Sequence, residues 1–344
     1  MQLRHLLNIL AVVLLVFVAS NLFAQDDPKV ELKKVYADIK QIDVDMTAAS
    51  EAANHDKYNE LLAKREELTL RVEELIQQVD ALKETAQTNA QAKQHYNEGG
   101  VSLKTGDYPK AIESYKKSLA IEPNNASAHY NMGIAYLKLK KNPEAKQGFL
   151  ESTNLNPEYV EAYIALGKIA EQERNSADAL KYYSKAIELD STKAKAHYGI
   201  GNVNFMAKVY PKSTSAYRNA VKYAPRLTGA WVGLGRSLVG ENKNTEAVTA
   251  LKKAVSLSPK KWQGYYHLSA TLNKMGNFTD AFTAATNCLK YKKNYAAAYY
   301  EKGFALMSLK RKEEAIAAFE KAKSDRSWRD ISDYYIKKMQ GKVQ

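Results

Sequence analysis

The sequence predicts an all-α fold: a solenoid of seven helix pairs, closed by a C-terminal capping helix and preceded by a helical hairpin or coiled coil. Three observations predict it. Residues 92 to 329 are one 34-residue pattern written seven times without insertion, with starts at 92, 126, 160, 194, 228, 262 and 296. Two columns of that pattern hold only small residues: Gly99, Gly133, Gly167, Gly201, Gly235, Ser269 and Gly303 at position 8, and Ala111, Ala145, Ala179, Ser213, Ala247, Ala281 and Ala315 at position 20. The prolines after Pro28 fall on two phases, with Pro109, Pro143 and Pro211 at position 18 and Pro123, Pro157, Pro225 and Pro259 at position 32.

Each column has a physical reading. Glycine costs about 1 kcal/mol in a helix interior, so its recurrence at position 8 predicts close backbone approach between the two helices of a pair. Proline at position 18 suits the opening turn of a second helix, where a missing N–H is harmless. At position 32 it suits the break between repeats. The unit is a helix, a turn and a helix.

With Trp231 or another ring at position 4, Gly at 8, Tyr136 at 11, Ala at 20, a ring such as Tyr115, Phe149, Tyr183, Tyr217 or Phe319 at 24, Ala or Ser at 27 and Pro at 32, this unit resembles the tetratricopeptide repeat. The resemblance covers about two-thirds of the chain and implies a right-handed α-solenoid whose first helices line a concave groove. It also implies that positions 2, 5, 9, 12 and 13 face a bound peptide. Those columns supply Tyr96, Tyr130, Tyr198, Tyr266 and Tyr300 at position 5, and Lys195 at 2. They add Lys168, Asn202, Arg236 and Phe304 at 9, and Phe205 at 12. Family members that grip a terminal carboxylate use a set that Tyr96, Gly100, Glu161 and Ala165 break here, leaving Asn131 alone. The sixth repeat departs most, with Ser269, Ala285 and Cys288 in its packing columns, and is expected to be the softest joint.

The charge is divided. Residues 25 to 91 carry nine Lys or Arg against fifteen Asp or Glu, whereas residues 92 to 344 carry 41 against 23. A basic array favours acidic partners and speeds their encounter. At the amino terminus, Arg4 precedes an apolar run from Leu6 to Val18, and Ser20, Asn21 and Ala24 lead into Gln25-Asp26-Asp27. Residues 1–24 read as an export signal cleaved after Ala24, or after Ser20. If retained, residues 6–24 would anchor the chain in an inner membrane. Export without a disulfide framework, given one cysteine, points to a bacterial envelope and a periplasmic location. Signal, acidic helical arm and repeat array are similar in order to the periplasmic cell-division coordinator proteins of the Tol-Pal system.

In the arm, residues 28–90, Leu32, Val35, Ile39, Ile42, Met46, Ala49 and Ala53 lay one apolar seam along a helix. Tyr58, Leu61, Arg65, Leu68, Val72, Leu75, Val79, Leu82 and Ala86 lay a second, out of phase with the first. Asn54 can end the first helix and Asp56 cap the next. Two structures satisfy this pattern: an antiparallel hairpin, or one long helix with a phase slip that joins other copies through residues 30–86. At the carboxyl end, Ser327-Trp-Arg-Asp330 reads as a capping box for a helix over 327–341 that covers the last repeat.

No catalytic constellation emerges. His95, His129 and His197 share position 4 with Trp231 and several tyrosines, so packing accounts for them. Equivalent positions in adjacent repeats lie roughly 10 Å apart, too far to share one metal ion. Cys288 falls in a packing column. The expectation is a non-enzymatic scaffold without metal or cofactor that binds an extended, acidic protein segment in a tyrosine-rich, basic groove. The alternative is a glycan-binding module in polysaccharide export or cell-wall work. Nucleic acid fits the charge but not the export signal.

Overall fold

The computed structural model describes residues 27–342, which form sixteen α-helices and no strand among the described residues. The export signal expected over 1–24 lies outside them. No helix among the described residues is long and apolar enough to cross a membrane. The chain divides into two compact units, one of residues up to 105 with 113–123, the other of 106–112 with 124 onward.

In the first unit, α1 (Pro28–Glu51) and α2 (His55–Thr105) run antiparallel. The Asp27 carboxylate caps α1 by accepting from the Lys29 N–H at 2.9 Å. Ile42, Met46, Ala49 and Leu61 pack near the turn, and Val35, Val72 and a fully buried Leu75 pack further along. Arg65 pairs with Asp43 at 2.7 Å and Arg71 with Glu31 at 2.8 Å, bridging the two helices. Exposed pairs of this kind contribute little each, so the apolar seam carries the pairing.

The turn corrects the sequence reading. Ala53 takes the left-handed conformation (φ 52°), and Asn54 Oδ1 accepts from the Lys57 N–H at 3.1 Å, so Asn54 caps α2 instead of ending α1. Asp56 is already inside the first turn of α2. The boundary drawn near residue 91 is also absent. α2 is one 51-residue helix whose last turns, from Ala92, are the first helix of repeat one. Its residues 80–91 are exposed throughout. α3 (Tyr108–Ile121) completes that repeat.

The second unit holds repeats two to seven: α4 (Ala126–Lys138) with α5 (Asn142–Leu155), α6 (Val160–Gln172) with α7 (Ser176–Leu189), and α8 (Ala194–Met206) with α9 (Tyr210–Tyr223). α10 (Thr228–Gly240) with α11 (Asn244–Leu257), α12 (Trp262–Lys274) with α13 (Phe278–Tyr291), and α14 (Ala296–Ser308) with α15 (Lys312–Ala322) follow. Every first helix begins on position 1 of the 34-residue register, and successive pairs stack on one another as a solenoid requires.

Two columns behave differently from their sequence reading. The small residue at position 8 chiefly faces the residue at position 24 of its own repeat, and in repeat two it also meets neighbouring backbone, the Ala145 carbonyl. A Cβ on Gly133, Gly167, Gly201 or Gly303 would lie 2.6 to 2.9 Å from the ring of Phe149, Tyr183, Tyr217 or Phe319. The sixth repeat obeys the same rule in reverse. Ser269 fills position 8, Ala285 vacates position 24, and the Ser269 hydroxyl donates to the Ala281 carbonyl at 2.9 Å, so the two changes compensate.

Position 15, which carries no small-residue signature, is left-handed in every repeat: Gly106, Lys140, Arg174, Lys208, Asn242, Gly276 and Lys310. In repeats two to seven the next N–H returns to the carbonyl five residues back, as Lys141 does to Tyr136 at 3.0 Å, which closes the first helix with a Schellman turn. Four of these residues are cations at a helix C-terminus, where the helix dipole favours them. Part of the array's basicity is thereby structural.

α15 has 11 residues against 14 in the other second helices of the unit, and α16 (Arg326–Met339) starts early as a result. Its N-cap is Asp325, whose carboxylate accepts from the Ser327 N–H at 2.8 Å; Ser327 lies inside the helix, contrary to the capping-box reading. Ile336 is buried against Phe319 and Leu306, and Tyr335 stacks on Phe319 at 5.4 Å.

Candidate functional site

The tyrosine column at position 5 is less open than its sequence implies. In repeats with a ring at both positions, the position-5 ring packs on the position-24 ring: Tyr130 on Phe149 at 5.5 Å, Tyr198 on Tyr217 at 5.8 Å, Tyr300 on Phe319 at 5.7 Å. Tyr130 also lies 5.0 Å from Tyr159, and Tyr266 lies edge-on to Tyr295 at 5.2 Å. Burial pushes the Tyr130 and Tyr266 hydroxyls up to about 12. Tyr96 belongs to the first unit, where it packs on Tyr115 at 5.8 Å.

Tyr300 and Phe304 are half-buried against the C-terminal helix. Trp328 lies 4.6 Å from the Tyr300 ring, and Tyr335 meets Phe304 edge-on at 5.9 Å, so α16 occupies the faces expected to receive a partner. Asn202 is also committed. Its amide donates to Glu171 Oε1 at 2.9 Å and its Oδ1 accepts from the Tyr217 hydroxyl at 2.7 Å, while Glu171 Oε2 accepts from the Tyr183 hydroxyl at 2.9 Å. Tyr183, Glu171, Asn202 and Tyr217 thus form a polar ladder that ties repeat three to repeat four. Lys168 and Lys195 remain exposed.

Arg236 is the predicted residue with the richest surroundings. Its guanidinium stacks on the Phe205 ring at 4.2 Å and has no carboxylate partner among the described residues. It stands between two cavities. One, of about 220 Å³, is lined by Tyr198, Asn202, Thr228, Val232, Lys261 and Gln263 together with Gly229, Gly233 and Gly264. The other, of about 400 Å³, is lined by Phe205, Tyr210, Val239, Gly240, Leu251, His267, Ala270, Thr271 and Lys274. Arg236, Lys261 and Lys274 contribute positive charge, and no carboxylate lines either cavity.

Sequence reasoning missed Lys261, His267 and Leu251. The available signal was repeat five itself, which carries Val232 at position 5 and Leu251 at position 24 and so lacks both rings of the pair. Burial, with Arg236 adding repulsion, pushes His267 down to about 4, so its ring is neutral at pH 7. Beyond it, Glu301 is buried at the joint of repeats six and seven. Its carboxylate accepts from the Asn273 amide at 2.7 Å, and burial raises its pKa.

His197 is buried, with Nε2 at 2.9 Å from the Ser191 carbonyl and its ring stacked on Tyr223. Burial pushes the Cys288 thiol up to about 12, which keeps it protonated and unreactive. Among the described residues no three His, Cys, Asp or Glu side chains converge to hold a metal ion.

Residues 101–140 match a family described as TPR repeat, and residues 126–159, 160–193, 228–261 and 271–330 match tetratricopeptide repeat. No curated protein matches the chain. Among solved structures, a tetratricopeptide repeat protein from Parabacteroides merdae ATCC 43184 aligns over 73% of this chain and 99% of its own, at 16% identity and a TM-score of 0.52. Pseudomonas aeruginosa pilF aligns over 63% and 97%, at 16% identity and 0.55. YrrB, described as a TPR protein with an unusual peptide-binding site, aligns over 55% and 97%, at 24% identity and 0.50. At these identities the likeness is one of fold.

Proposed function

This chain belongs to the tetratricopeptide-repeat proteins, and on that premise we propose that it is a protein–protein interaction scaffold of a bacterial cell envelope, holding an extended acidic segment of its partner against repeats four to six. The observation that carries the reading is the charge around Arg236. Three cations and no carboxylate line the two cavities it separates, and its guanidinium lies over the Phe205 ring with no carboxylate partner among the described residues. A guanidinium held that way loses little freedom on gripping a carboxylate.

Titration of a fluorescent Glu/Ser peptide tests this. Arg236→Glu should weaken binding at least tenfold and flatten its salt dependence; unchanged affinity would remove the groove from the function. The glycan reading draws less support, because stacking on a sugar ring needs a free aromatic face, and the position-5 tyrosines of the array are engaged with other rings.

The envelope location rests on the order of Arg4, the run Leu6 to Val18 and Ala24. Cell fractionation with residues 1–24 deleted checks it, since an unchanged distribution would discard the export signal. Self-association or docking through residues 30–86 completes the proposal, supported by exposed apolar side chains on that arm such as Val44 and Leu70. Light scattering of the full chain should show an oligomer that Leu70→Lys weakens. A monomer at all concentrations would end that part.

A further inference from the structure

The two cavities open where the ladder of paired rings is interrupted. Repeats two, four and seven each close with a ring at position 5 packed on a ring at position 24. Repeat five has Val232 and Leu251 in those places; Val232 lines the smaller cavity and Leu251 the larger. One neighbour enlarges the opening: Ala270 stands at position 9, where repeat seven has Phe304, whereas the space over Gly240 at position 13 is taken by the Tyr210 ring. The floor of the larger cavity is apolar, from Leu251, Val239, Phe205 and Ala270, and its rim carries Arg236 and Lys274.

Resting on the acidic-segment reading above, we infer that this gap is an anchor site for one aromatic side chain of the bound segment, flanked by a carboxylate that Arg236 holds. A space of about 400 Å³ takes a phenyl or indole ring, whose burial against the half-buried Phe205, Val239 and Ala270 is the main attraction. Successive residues of an extended segment are spaced about 3.3 Å apart, so an acid one or two residues from the ring reaches the wall that the two cavities share. His267, neutral at pH 7, adds no competing charge to the rim. The site therefore reads an aromatic beside an acid, rather than charge alone.

The test uses the full chain and a fluorescent Glu/Ser peptide into which one Phe is walked through every position, with the all-Glu/Ser peptide as reference. Wild type should bind at least one Phe-containing peptide tenfold or more tighter than the reference. Leu251→Phe places at this column, over Gly235, the residue type found there in repeats two and seven and narrows the cavity; it should bring the affinity of the Phe-containing peptides down toward that of the reference. Ala270→Phe fills the cavity from the opposite wall and serves as a second variant, with a cooperative thermal melt required of both. Equal binding of all peptides to wild type, or a preference that survives in both filled variants, overturns the anchor while the acidic-segment reading stands. Absence of binding by every peptide overturns both.

Discussion

Repeats four and five lie next to each other and share a register, yet they close in opposite ways. In repeat four, Tyr217 fills the space over Gly201 and reaches Gly233 of the next repeat; a Cβ on either glycine would lie 2.6 or 2.4 Å from that ring. The ring also packs on Tyr198, and its hydroxyl belongs to the polar ladder through Asn202 and Glu171. In repeat five, Leu251 sits over Gly235 and is fully buried, position 6 of the next repeat carries His267 in place of glycine, and a cavity opens beside the two. The same small residue at position 8 seats a ring in one case and a leucine in the other. Ring pairing stabilises the array, and its omission makes room for something else.

The largest expected effect concerns His267, on the wall of the repeat-five cavity. Its folded pKa of about 4 lies below the ordinary 6.5, so its contribution to stability is fully present above pH 6.5 and is lost as pH falls toward 4. By linkage that is about 3 kcal/mol. Glu301 works in the opposite sense, because its raised pKa contributes stability below the ordinary carboxylate range that is lost as pH rises. Thermal melts between pH 7 and 5 in the Glu301→Gln background stay above the range where the paired carboxylates protonate, and His267→Gln should reduce the loss of stability over that interval. A slope that survives His267→Gln would assign the effect elsewhere.

Next comes the ladder on the repeat-four side. Glu171→Ala removes the acceptor shared by Tyr183 and Asn202 and should cost about 2 kcal/mol in chemical denaturation, since the partners are left unpaired in a partly buried site. A loss no larger than that of an exposed acid such as Glu188→Ala would show that the ladder contributes nothing. The glycine comparison is smaller and sharper. Gly201→Ala gains helix propensity but must displace a fixed ring, whereas Gly235→Ala meets a leucine that can swing into the adjacent cavity. The first should be less stable than the second by about 1.5 kcal/mol. Equal melting temperatures would mean that the two seats are equally soft.

The smallest effect lies at position 15, where Lys208 (φ 58°) closes the first helix of repeat four and Asn242 (φ 62°) that of repeat five. Asparagine tolerates the left-handed region better than lysine. Lys208→Gly should therefore stabilise by up to about 1 kcal/mol and Asn242→Gly by less, a ranking that paired melts would reverse if backbone strain were unimportant.

The fold was legible because a fixed period projects onto columns. Pro109, Pro143 and Pro211 at position 18 mark second helices, and every first helix of the second unit starts on its expected residue. The Schellman turns were not legible, since Lys140, Arg174, Lys208 and Lys310 carry no glycine signature and only backbone geometry reveals them. At the candidate site, Arg236 was visible from its column, but the contacts that engage Tyr300, Phe304 and Asn202 were not. Contacts to α16 and to Glu171 depend on side-chain geometry that column position does not encode. The cap was misplaced by two residues because Ser327 and Asp325 both satisfy capping chemistry, and the shortened α15 favours Asp325.

The unbroken α2 has a consequence for the acidic arm. Because the arm's second helix and the first helix of repeat one are a single rod, the arm has a fixed angular phase about that rod, about 100° per residue. Residues 80–91 are exposed on all sides, so one residue removed there would leave the packing of both ends untouched while swinging the arm's acidic face about a quarter turn around repeat one. Removing seven would restore the phase to within about 20° and shorten the reach by about 10 Å. Such deletions separate a partner that senses the arm's direction from one that senses only its length.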